Sequence, residues 1–307
     1  MIRRINMDLE SVSKLKTESR NSNTINIGSM DGYEVAKLIN SEDFNVAESI
    51  SKVTDSIGKA IEEASDKFSK GGRLIYIGAG TSGRLGALDA IELTPTYGVP
   101  PTRAFGILAG GKKAMFEAVE GAEDSEKLAI EDLSNVGLSK NDVLISLSAS
   151  GRTPYALAAI KYGERVGSLT IAVICNSESP MSKESDIAIA PLVGPEVITG
   201  STRMKSGSAQ KMILNILSTG IMIKSGYVYE NLMINVQPTN EKLVSRSIGI
   251  IEQILKVTSK EAKQIFEDSH GNIAIGLIMK KLGLSYDDAQ KKFIKNKRNI
   301  HRIVGIK

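Results

Sequence analysis

Apolar residues in this chain fall into short consecutive runs that alternate with longer stretches of helical periodicity. Runs rich in Ile, Leu and Val on successive positions are typical of strands buried on both faces of a parallel sheet. Strands that alternate with helices predict an α/β fold, a doubly wound and mainly parallel sheet flanked by helices. The predicted strands are 73–77, 103–108, 142–147, 169–174 and 186–190, and the predicted helices between them are 83–92, 112–119, 124–134 and 154–166.

Helical periodicity continues on both sides of this core. Before it, apolar residues recur at steps of three and four across 44–69, which predicts one long amphipathic helix with a narrow apolar seam. After it, 203–224 and 240–257 are helix candidates, and 259–303 divides into three short helices typical of a small bundle. We therefore divide the chain into an N-terminal helical arm with the start of the long helix, an α/β domain and a helical C-terminal region, at 1–54, 55–228 and 229–307.

Composition narrows the class of protein without indicating a function. No apolar run reaches membrane-spanning length and the first residues do not form a secretory signal, so we expect a cytoplasmic protein outside the membrane. The net charge of +4 comes largely from the C-terminal tail, which has no recognisable nucleic-acid-binding motif and few aromatic residues for stacking. We expect a solvated helix face there and no nucleic-acid partner. The basic residues of the tail are Lys291, Lys292, Lys295, Lys297, Arg298 and Arg302.

Cysteine and histidine are scarce. Cys175 is the only cysteine, and the only histidines, His270 and His301, lie in the C-terminal region. The chain has no pair of cysteines for a disulfide, and a histidine triad or a zinc cluster would have almost no ligands. Because Cys175 ends an apolar strand, we expect a buried side chain rather than a nucleophile. The sequence therefore predicts neither a metal nor a cofactor.

Two loops rich in Gly, Ser and Thr each follow a predicted strand and each open a helix. Their sequences are GAGTSG at 78–83 and SASGRT at 148–153. Small residues at the end of a strand let the backbone approach a ligand, and unpaired N–H groups at a helix start attract an anion. Ser148, Ser150 and Thr153 add hydroxyls that suit a single phosphoryl group. The loops therefore predict a phosphate-bearing small molecule at the carboxyl ends of the strands.

The first loop also matches the G-x-G-x-x-G pattern of dinucleotide-binding proteins, through Gly78, Gly80 and Gly83. Such proteins usually carry an acidic residue about 20 positions further on, which binds the ribose hydroxyls. Here that region contains Arg103, which would have to bind a 2′-phosphate instead. The oxidoreductase hypothesis is weakened and remains open at this point.

Carboxylates are the remaining candidates for acid–base chemistry. Glu92 stands near the end of the helix that the first loop opens, just before Pro95, which we expect to break the helix. We expect Glu92 within reach of a ligand held by that loop, although a solvated residue at a helix end is the alternative. Glu123 and Asp124 lie in a turn between two helices, where Asp124 fits better as a helix cap.

Six motifs spread over nearly the whole chain carry a more specific signal. They are LKTESRN at 15–21, GRLIYIGAGTSGRLGALDAIELTPTYG at 72–98, VEGAEDS at 119–125, SASGRTPYALA at 148–158, VITGSTRMKSGSAQKMILNILSTGIMIKSGYV at 197–228 and PTNEKL at 238–243. In combination they resemble the N-acetylmuramic acid 6-phosphate etherases, which are sugar isomerase (SIS) domain proteins. The resemblance identifies the α/β domain as a sugar-phosphate-binding domain of SIS type.

The resemblance implies a lyase that converts N-acetylmuramic acid 6-phosphate to N-acetylglucosamine 6-phosphate and D-lactate, in peptidoglycan recycling and amino-sugar catabolism. Loss of the C2 proton from the open-chain sugar would expel lactate from C3, and water would then add. That route needs a base and an acid, with no metal or redox cofactor. By alignment, Glu92 would be the acid at the ether oxygen, if burial favours its neutral form. Glu123 matches a second family glutamate in proton transfer, and Lys242 is another candidate, as base or as a donor to the substrate.

The same resemblance assigns the groups that bind the substrate. Arg203 and Lys205 are further candidates, since two cations at a helix start call for an anion nearby and the lactyl carboxylate would supply one. The residues expected to contact the sugar phosphate are Ser148, Ser150 and Thr153 at the phosphate, with Thr81 and Ser82 near the sugar.

Two other functions remain open. A non-catalytic sugar-phosphate regulator, like the glucokinase regulatory protein, would keep the loops without turnover, although such a protein usually has two SIS units. An aldose–ketose isomerase would use the same loops and one glutamate, and would not need Glu123 or Lys242. Because SIS relatives commonly bury their sites at subunit contacts, we also expect a homodimer in which both chains contribute to each site.

Overall fold

A five-stranded parallel sheet forms the centre of the computed structural model, which describes residues 18–236, 238, 240–296 and 298–305. The strand order is β2-β1-β3-β4-β5, and every neighbouring pair is parallel. The predicted doubly wound sheet is confirmed, and each predicted strand ends within one residue of the observed strand. The strands are β1 (Leu74–Gly78), β2 (Ala104–Leu108), β3 (Val143–Ser148), β4 (Leu169–Ile174) and β5 (Ile187–Ile189).

Helices cover both faces of this sheet. Strand side chains alternate between them, so Tyr76 and Ile145 pack toward one face while Ile75 and Leu144 pack toward the other. Each fully buried side chain of this size stabilises the fold by roughly 1.5–3 kcal/mol. The first face carries α1 (Gly32–Ser51), α2 (Thr54–Ser69), α3 (Gly80–Tyr97) and α7 (Lys205–Lys224), and the second carries α4 (Glu126–Asn135), α5 (Pro154–Val166) and α6 (Pro180–Glu184).

The long helix predicted over 44–69 is instead two helices, α1 and α2, so this prediction is wrong. At the break, the Ser51 and Thr54 hydroxyls donate to the carbonyls of Glu48 and Ser51, at 2.7 and 3.2 Å. Such local bonds compete with the backbone ladder of a helix. The apolar seam nevertheless continues across the break. Its buried members are Val46, Ile50, Ile57, Ala60 and Ala64.

Pro95 does not break α3, in contrast to the prediction. It lies in the last turn, and the helix continues for two residues beyond it, to Tyr97. The helix ends at Gly98, whose φ of 67° is left-handed and whose N–H donates to the Thr94 carbonyl at 2.9 Å. The helix predicted over 112–119 is also wrong, because only a short 3₁₀ turn forms, at Gly111–Met115.

The C-terminal region is the predicted small helical bundle with its own apolar core, which includes Ile251, Leu277 and Phe293. A two-stranded hairpin, β6 (Val228–Tyr229) and β7 (Leu232–Met233), precedes it. No helix among the described residues is both long and apolar enough to cross a membrane. The helices of the bundle are α8 (Glu241–Leu255), α9 (Ser259–Asp268), α10 (Ile273–Leu282), α11 (Tyr286–Lys295) and α12 (His301–Val304), the last one additional to the prediction.

Some predictions fall outside the described residues. Residues 1–17 of the predicted arm, with the first three positions of the LKTESRN motif, belong to this group. So do Thr239 in the PTNEKL motif and Lys297 in the basic tail. The proposed division at 54 and 228 stays a prediction.

Candidate active site

The two Gly- and Ser-rich loops lie side by side. The first follows β1 and the second follows β3, and these two strands are neighbours in the sheet. After β1 the chain crosses to β2 on one side, whereas β3 lies on the other side. The two loops therefore flank the switch point of the sheet, and open α/β sheets bind their ligands in the crevice at this point, outside the carboxyl ends of the strands.

The hydroxyl groups of the second loop form one cluster. Ser148 Oγ lies 2.8 Å from Thr153 Oγ1 and 3.4 Å from Ser150 Oγ. The loop turns at Gly151, where φ is 67° and a Cβ would lie only 2.3 Å from Ser179 Oγ. Glycine at this position lets the three hydroxyls converge. The structure thus brings the predicted phosphate-binding residues together at the start of α5.

Close packing of α3 on β1 shapes the first loop. A Cβ on Gly83 would lie 2.4 Å from the Gly78 carbonyl oxygen, so a larger residue would push α3 away from the strand. Ser82 Oγ donates a 2.8 Å hydrogen bond to Oε1 of Gln210 in α7, and Gln210 Nε2 donates to the Val173 carbonyl at 3.3 Å. The start of α7 therefore forms a third wall of the crevice.

Thr81 lies at the same wall. A Cβ added to Gly207, in the first turn of α7, would be 3.6 Å from Thr81 Cγ2. Thr81 and Ser82 are both partly exposed. Both residues expected near the sugar thus lie on the first loop, next to the start of α7.

Glu123 lies next to the second loop. Its backbone carbonyl accepts a 3.0 Å hydrogen bond from the N–H of Tyr155, in the first turn of α5. The Tyr155 hydroxyl donates to Asp132 at 2.5 Å, which fastens α5 to α4. Ser125, rather than Asp124, caps the following helix. The backbone of Glu123 therefore lies beside the start of α5, where the second loop ends, and its side chain is exposed.

Glu92 lies far from the loops of its own chain. It follows Gly80, the first residue of α3, by twelve residues, which corresponds to about 18 Å along the helix axis. Ala87 already packs on Gly106 in the middle of β2, so α3 has run back toward the amino ends of the strands before it reaches Glu92. The Glu92 side chain is exposed. A single chain does not bring this carboxyl to a ligand on the loops.

Lys242 is also separate from the loops. It occupies the first turn of α8, whose main packing partners are α9 and α10 of the C-terminal bundle. Its side chain is exposed. Of the three candidate catalytic residues, only Glu123 is placed beside the loops by contacts within one chain.

Lys205 cannot meet a substrate carboxylate. It is 1 % exposed, and its Nζ lies 2.7 Å from Glu42 Oε2. The backbone N–H groups of Lys205 and Ser206 both donate at 2.9 Å to the carboxylate of Glu196, which caps α7. The anions at this helix start are therefore Glu42 and Glu196, and the lactyl carboxylate is not needed to explain Lys205. Arg203 remains exposed.

Arg103 lies at the amino ends of the strands, whereas the crevice is at their carboxyl ends. It directly precedes β2, and its Nη2 donates to the carbonyls of Phe68 and Gly72 at 2.7 and 2.8 Å. This placement removes the 2′-phosphate role on which the oxidoreductase hypothesis depended. Cys175 is buried as expected, and burial raises the pKa of its thiol to about 12.

A buried carboxyl in α3 escaped the sequence analysis. Asp89 is 4 % exposed, accepts a hydrogen bond from the Ser218 hydroxyl at 3.2 Å and lies 3.8 Å from Lys211 Nζ. Burial raises its pKa to about 6, although Tyr76, Lys211 and Ser218 all favour the charged form. The Tyr76 hydroxyl and Asp89 Oδ2 are both buried without a hydrogen bond of good geometry. The sequence could have indicated Asp89, because it is a charged residue on the inner face of a predicted helix.

No group of three or more His, Cys, Asp and Glu side chains is arranged to bind a metal ion within the described parts of the chain. The two loops present hydroxyls and backbone N–H groups, and Glu123 lies beside the second of them. Such a set can bind a phosphorylated sugar and transfer a proton.

Comparison with known proteins places these features in a family context. Residues 53–164 match the family model of the glucokinase regulatory protein N-terminal SIS domain, and residues 120–219 match the SIS domain model. The chain is 55% identical to N-acetylmuramic acid 6-phosphate etherase 1 of Enterococcus faecalis, over 95% of this chain and 97% of that protein. It is 49% identical to the N-acetylmuramic acid 6-phosphate etherase of Lactobacillus gasseri (96% and 99% covered). It is 52% identical to that of Clostridium botulinum (94% and 95% covered).

Proposed function

The chain belongs to the N-acetylmuramic acid 6-phosphate etherase family, and from this premise we propose how its crevice performs the reaction. The chain is a carbon–oxygen lyase. Its substrate is N-acetylmuramic acid 6-phosphate, and its products are N-acetylglucosamine 6-phosphate and D-lactate. The observation that carries the structural part of the proposal is the cluster of Ser148, Ser150 and Thr153 beside the first loop.

The second loop binds the 6-phosphate in this proposal. Ser148 Oγ lies within 3.4 Å of the Ser150 and Thr153 hydroxyls, and each of the three can donate to a different phosphate oxygen once their mutual bonds are released. The start of α5 adds the positive end of a helix dipole. Thr81 and Ser82 then contact the sugar, which extends from the phosphate toward the first loop.

The chemistry is β-elimination followed by addition of water. In the open-chain sugar, the C1 aldehyde acidifies the C2 proton, and its removal expels the lactyl oxygen from C3. Glu92 protonates that leaving oxygen, so it must enter the site in its neutral form. Either Glu123 or Lys242 takes the C2 proton. The position of Glu123 next to the phosphate cluster supports the first choice.

A homodimer with shared sites belongs to the same proposal. Apolar side chains stand exposed on the outer faces of α3 and α7, at Leu88, Ile91, Met212 and Ile216. Exposed apolar residues that form a contiguous patch are typical of subunit interfaces. We also assign the activity to peptidoglycan recycling in the cytoplasm, where a phosphorylated amino sugar would be available.

A regulator without turnover is the second candidate, and the match of 53–164 to the regulatory-protein model is the observation that favours it. Such a protein would bind the sugar phosphate through the same hydroxyl cluster. In such a protein Glu92 and Glu123 would have no catalytic role.

Release of D-lactate tests the proposal against this alternative. We expect release from N-acetylmuramic acid 6-phosphate, little release from the unphosphorylated sugar, and a loss of at least 100-fold in kcat for Glu92→Gln. Glu131→Gln, an exposed carboxyl on α4, is the matched control and should leave kcat unchanged. Tight binding of the sugar phosphate without any lactate release would favour the regulator. Full activity of Glu92→Gln would show that Glu92 is not the acid.

A further inference from the structure

The hydroxyl group of Ser82 points in a fixed direction. It donates its proton to Oε1 of Gln210 at 2.8 Å. Within the described parts of the chain, no group donates a hydrogen bond to Ser82 Oγ in return. A serine hydroxyl carries one proton and two lone pairs, so Ser82 offers a ligand an acceptor and no donor.

The side-chain amide of Gln210 holds the hydroxyl in this direction. The amide is buried, since Gln210 is only 1 % exposed, and its Nε2 donates to the Val173 carbonyl at 3.3 Å. A carbonyl oxygen can only accept, and rotation of the amide by a half-turn would place Oε1 against it. Two buried acceptors without a proton between them are unfavourable. The Val173 carbonyl therefore determines the orientation of the amide, and the amide determines that of the Ser82 hydroxyl.

The helix that carries Gln210 is itself held in place. The buried carboxylate of Glu196 accepts hydrogen bonds from the backbone N–H groups of Lys205 and Ser206, both at 2.9 Å. It also accepts from the Ser206 hydroxyl at 2.8 Å. Gln210 follows Ser206 by four residues in α7, which is about one turn. The contact with Ser82 is therefore made from a fixed helix rather than from a loop.

The hydroxyls of the second loop have the opposite polarity. Ser148 Oγ accepts from the Gly151 N–H at 3.1 Å, and Ser150 Oγ accepts from the Arg152 N–H at 3.2 Å. Because these oxygens already accept from the backbone, their protons are available to a ligand once the bonds within the cluster are released. The oxygens of a phosphate dianion can only accept. A phosphate therefore fits the second loop and is a poor partner for Ser82.

An N-acetylated amino sugar has one group that donates without also accepting. Each of its hydroxyls does both and its acetyl carbonyl only accepts, whereas the acetamido N–H on C2 only donates. Three carbons separate C2 from the phosphorylated C6, a span longer than the spacing of about 4.8 Å between neighbouring strands. A phosphate on the second loop, after β3, thus leaves the acetamido group able to reach the first loop, after β1.

We propose that Ser82 accepts a hydrogen bond from the acetamido N–H of the substrate, and that Gln210 is the positioning residue that fixes Ser82 as an acceptor. This inference rests on the proposed function, which places the phosphate on the second loop. The site then selects a sugar phosphate with a donor on C2. A sugar that presents only an acceptor there loses the hydrogen bond and also brings two acceptors into contact.

Two ligands that differ in a single N–H test the proposal. They are N-acetylglucosamine 6-phosphate and 2-O-acetylglucose 6-phosphate, in which an ester oxygen that cannot donate replaces the N–H. Isothermal titration calorimetry on the full chain measures both Kd values. We expect the ester to bind roughly 10- to 100-fold more weakly to the wild-type protein. Equal affinities would overturn the proposal.

The variant Gln210→Met separates the positioning of Ser82 from general support of the fold. Methionine has a similar length, but its sulfur is a weak acceptor, so the Ser82 hydroxyl becomes free to turn and donate to the ester oxygen. We expect the ratio of the two Kd values to fall below about threefold. A residue that only supports the fold would weaken both ligands equally, and an unchanged ratio would contradict the role of Gln210. Gln264→Met, at an exposed position of α9, is the matched control and should keep the wild-type ratio.

The variant Ser82→Ala tests the same contact without changing α7. Loss of the hydroxyl should also bring the ratio of the Kd values close to one. A ratio as large as that of the wild type would show that another group binds the N–H and would overturn the proposal. This variant and the wild-type protein decide the matter even if Gln210→Met does not fold, which circular dichroism would show.

The two proposals fail in different ways. If the wild-type protein releases no D-lactate, or if N-acetylglucosamine binds as tightly without its phosphate, the proposed function is wrong and this inference falls with it. If lactate release and phosphate-dependent binding are as expected but the wild-type protein binds amide and ester equally, only the roles of Ser82 and Gln210 are wrong.

Discussion

At the scale of single residues, Thr153 offers the cleanest test of phosphate binding. Thr153→Val keeps the shape of the side chain and removes its hydroxyl. A hydrogen bond to a charged group contributes about 1.5–3 kcal/mol, so we expect KM to rise roughly 10- to 100-fold while kcat changes less. Steady-state D-lactate release measures both constants. Thr102→Val, at an exposed position beside the opposite edge of the sheet, is the control, and an unchanged KM for Thr153→Val would contradict the assignment.

Asp89 should lower the stability of the folded chain at neutral and alkaline pH. Burial raises its pKa to about 6 from an ordinary 3.8, so the folded state holds its proton to higher pH than the unfolded state does. Stability therefore falls as pH rises from about 4 to 6, and the cost persists above that range. We expect Asp89→Asn to increase the free energy of unfolding by about 1–2 kcal/mol at pH 8 and by much less at pH 4.5.

Urea unfolding at several pH values checks this expectation. Asp66→Asn removes an exposed carboxyl on α2 and should leave the pH dependence unchanged. If Asp89→Asn were less stable than wild type at pH 8, the buried carboxylate would contribute to stability instead.

The buried pair of Glu42 and Lys205 has the opposite pH behaviour. Burial alone would raise the pKa of Glu42, but hydrogen bonds from Asn23, Lys205 and Asn21 outweigh burial and lower it. A lowered folded-state pKa means that the stabilisation is present above the ordinary value of 4.5 and is lost as pH falls below it. Lys205→Met should cost about 3–5 kcal/mol at pH 7 by leaving Glu42 buried and unpaired.

A double substitution separates the charge from the packing. Glu42→Gln combined with Lys205→Met should recover at least half of the loss, because no uncompensated charge then remains. Denaturant unfolding of the three variants measures this. A double variant as unstable as Lys205→Met would mean that shape, rather than charge, determines the cost.

At the scale of elements, two glycines in helices have opposite expected effects. A Cβ at Gly83 would meet the backbone of Gly78 at 2.4 Å, whereas Gly58 in α2 has nothing within 4 Å. Gly83→Ala should therefore destabilise the fold by about 2 kcal/mol or more and weaken sugar binding, because α3 must shift away from β1. Gly58→Ala should stabilise it by roughly 0.5–1 kcal/mol. Thermal unfolding and KM for both variants test this, and equal effects would contradict the close approach of α3 to β1.

The sequence predicted the elements best where one physical pattern determines the structure. Strands buried on both faces give continuous apolar runs, so β4 matched its prediction over 169–174 and α5 matched over 154–166. The errors lie where local interactions compete. The break between α1 and α2 coincides with hydroxyl bonds at Ser51 and Thr54, which compete with the backbone ladder of a helix. Helix α3 continues for two residues beyond Pro95, and its end is set by the left-handed Gly98.

The contacts between side chains were harder to predict from the sequence than the helices and strands. The hydroxyl cluster followed from the residue types and the loop position, and the structure brings its members together. Lys205 looked like a free cation because Glu42 lies 163 residues away in sequence and only the folded chain pairs them. Gln210, which fixes Ser82, was missed for the same reason.

For the whole molecule, the sequence did not predict that Glu92 lies far from the loops of its own chain. Its motif indicates a role, but the helix that carries it leads away from the loops, and a sequence does not show which copy completes a site. Exposed apolar residues stand on α3 and on α7, and only the fold shows that these two helices pack against each other.

Disruption of that surface should therefore remove activity together with assembly. Ile91→Glu introduces a charge at an exposed apolar position of α3, one residue from Glu92, and burial of an unpaired charge opposes association. We expect a monomer in analytical ultracentrifugation and a loss of at least 10-fold in kcat/KM at low protein concentration, with recovery as the concentration rises, because association is a mass-action equilibrium. Binding of N-acetylglucosamine 6-phosphate should change less, since the loops of each chain stay intact.

Ile294→Glu, a comparably exposed position on α11, is the control for a new surface charge and should leave both properties unchanged. An Ile91→Glu protein that remains dimeric and fully active would show that the chains meet elsewhere, and the acid would then have to reach the loops by another route.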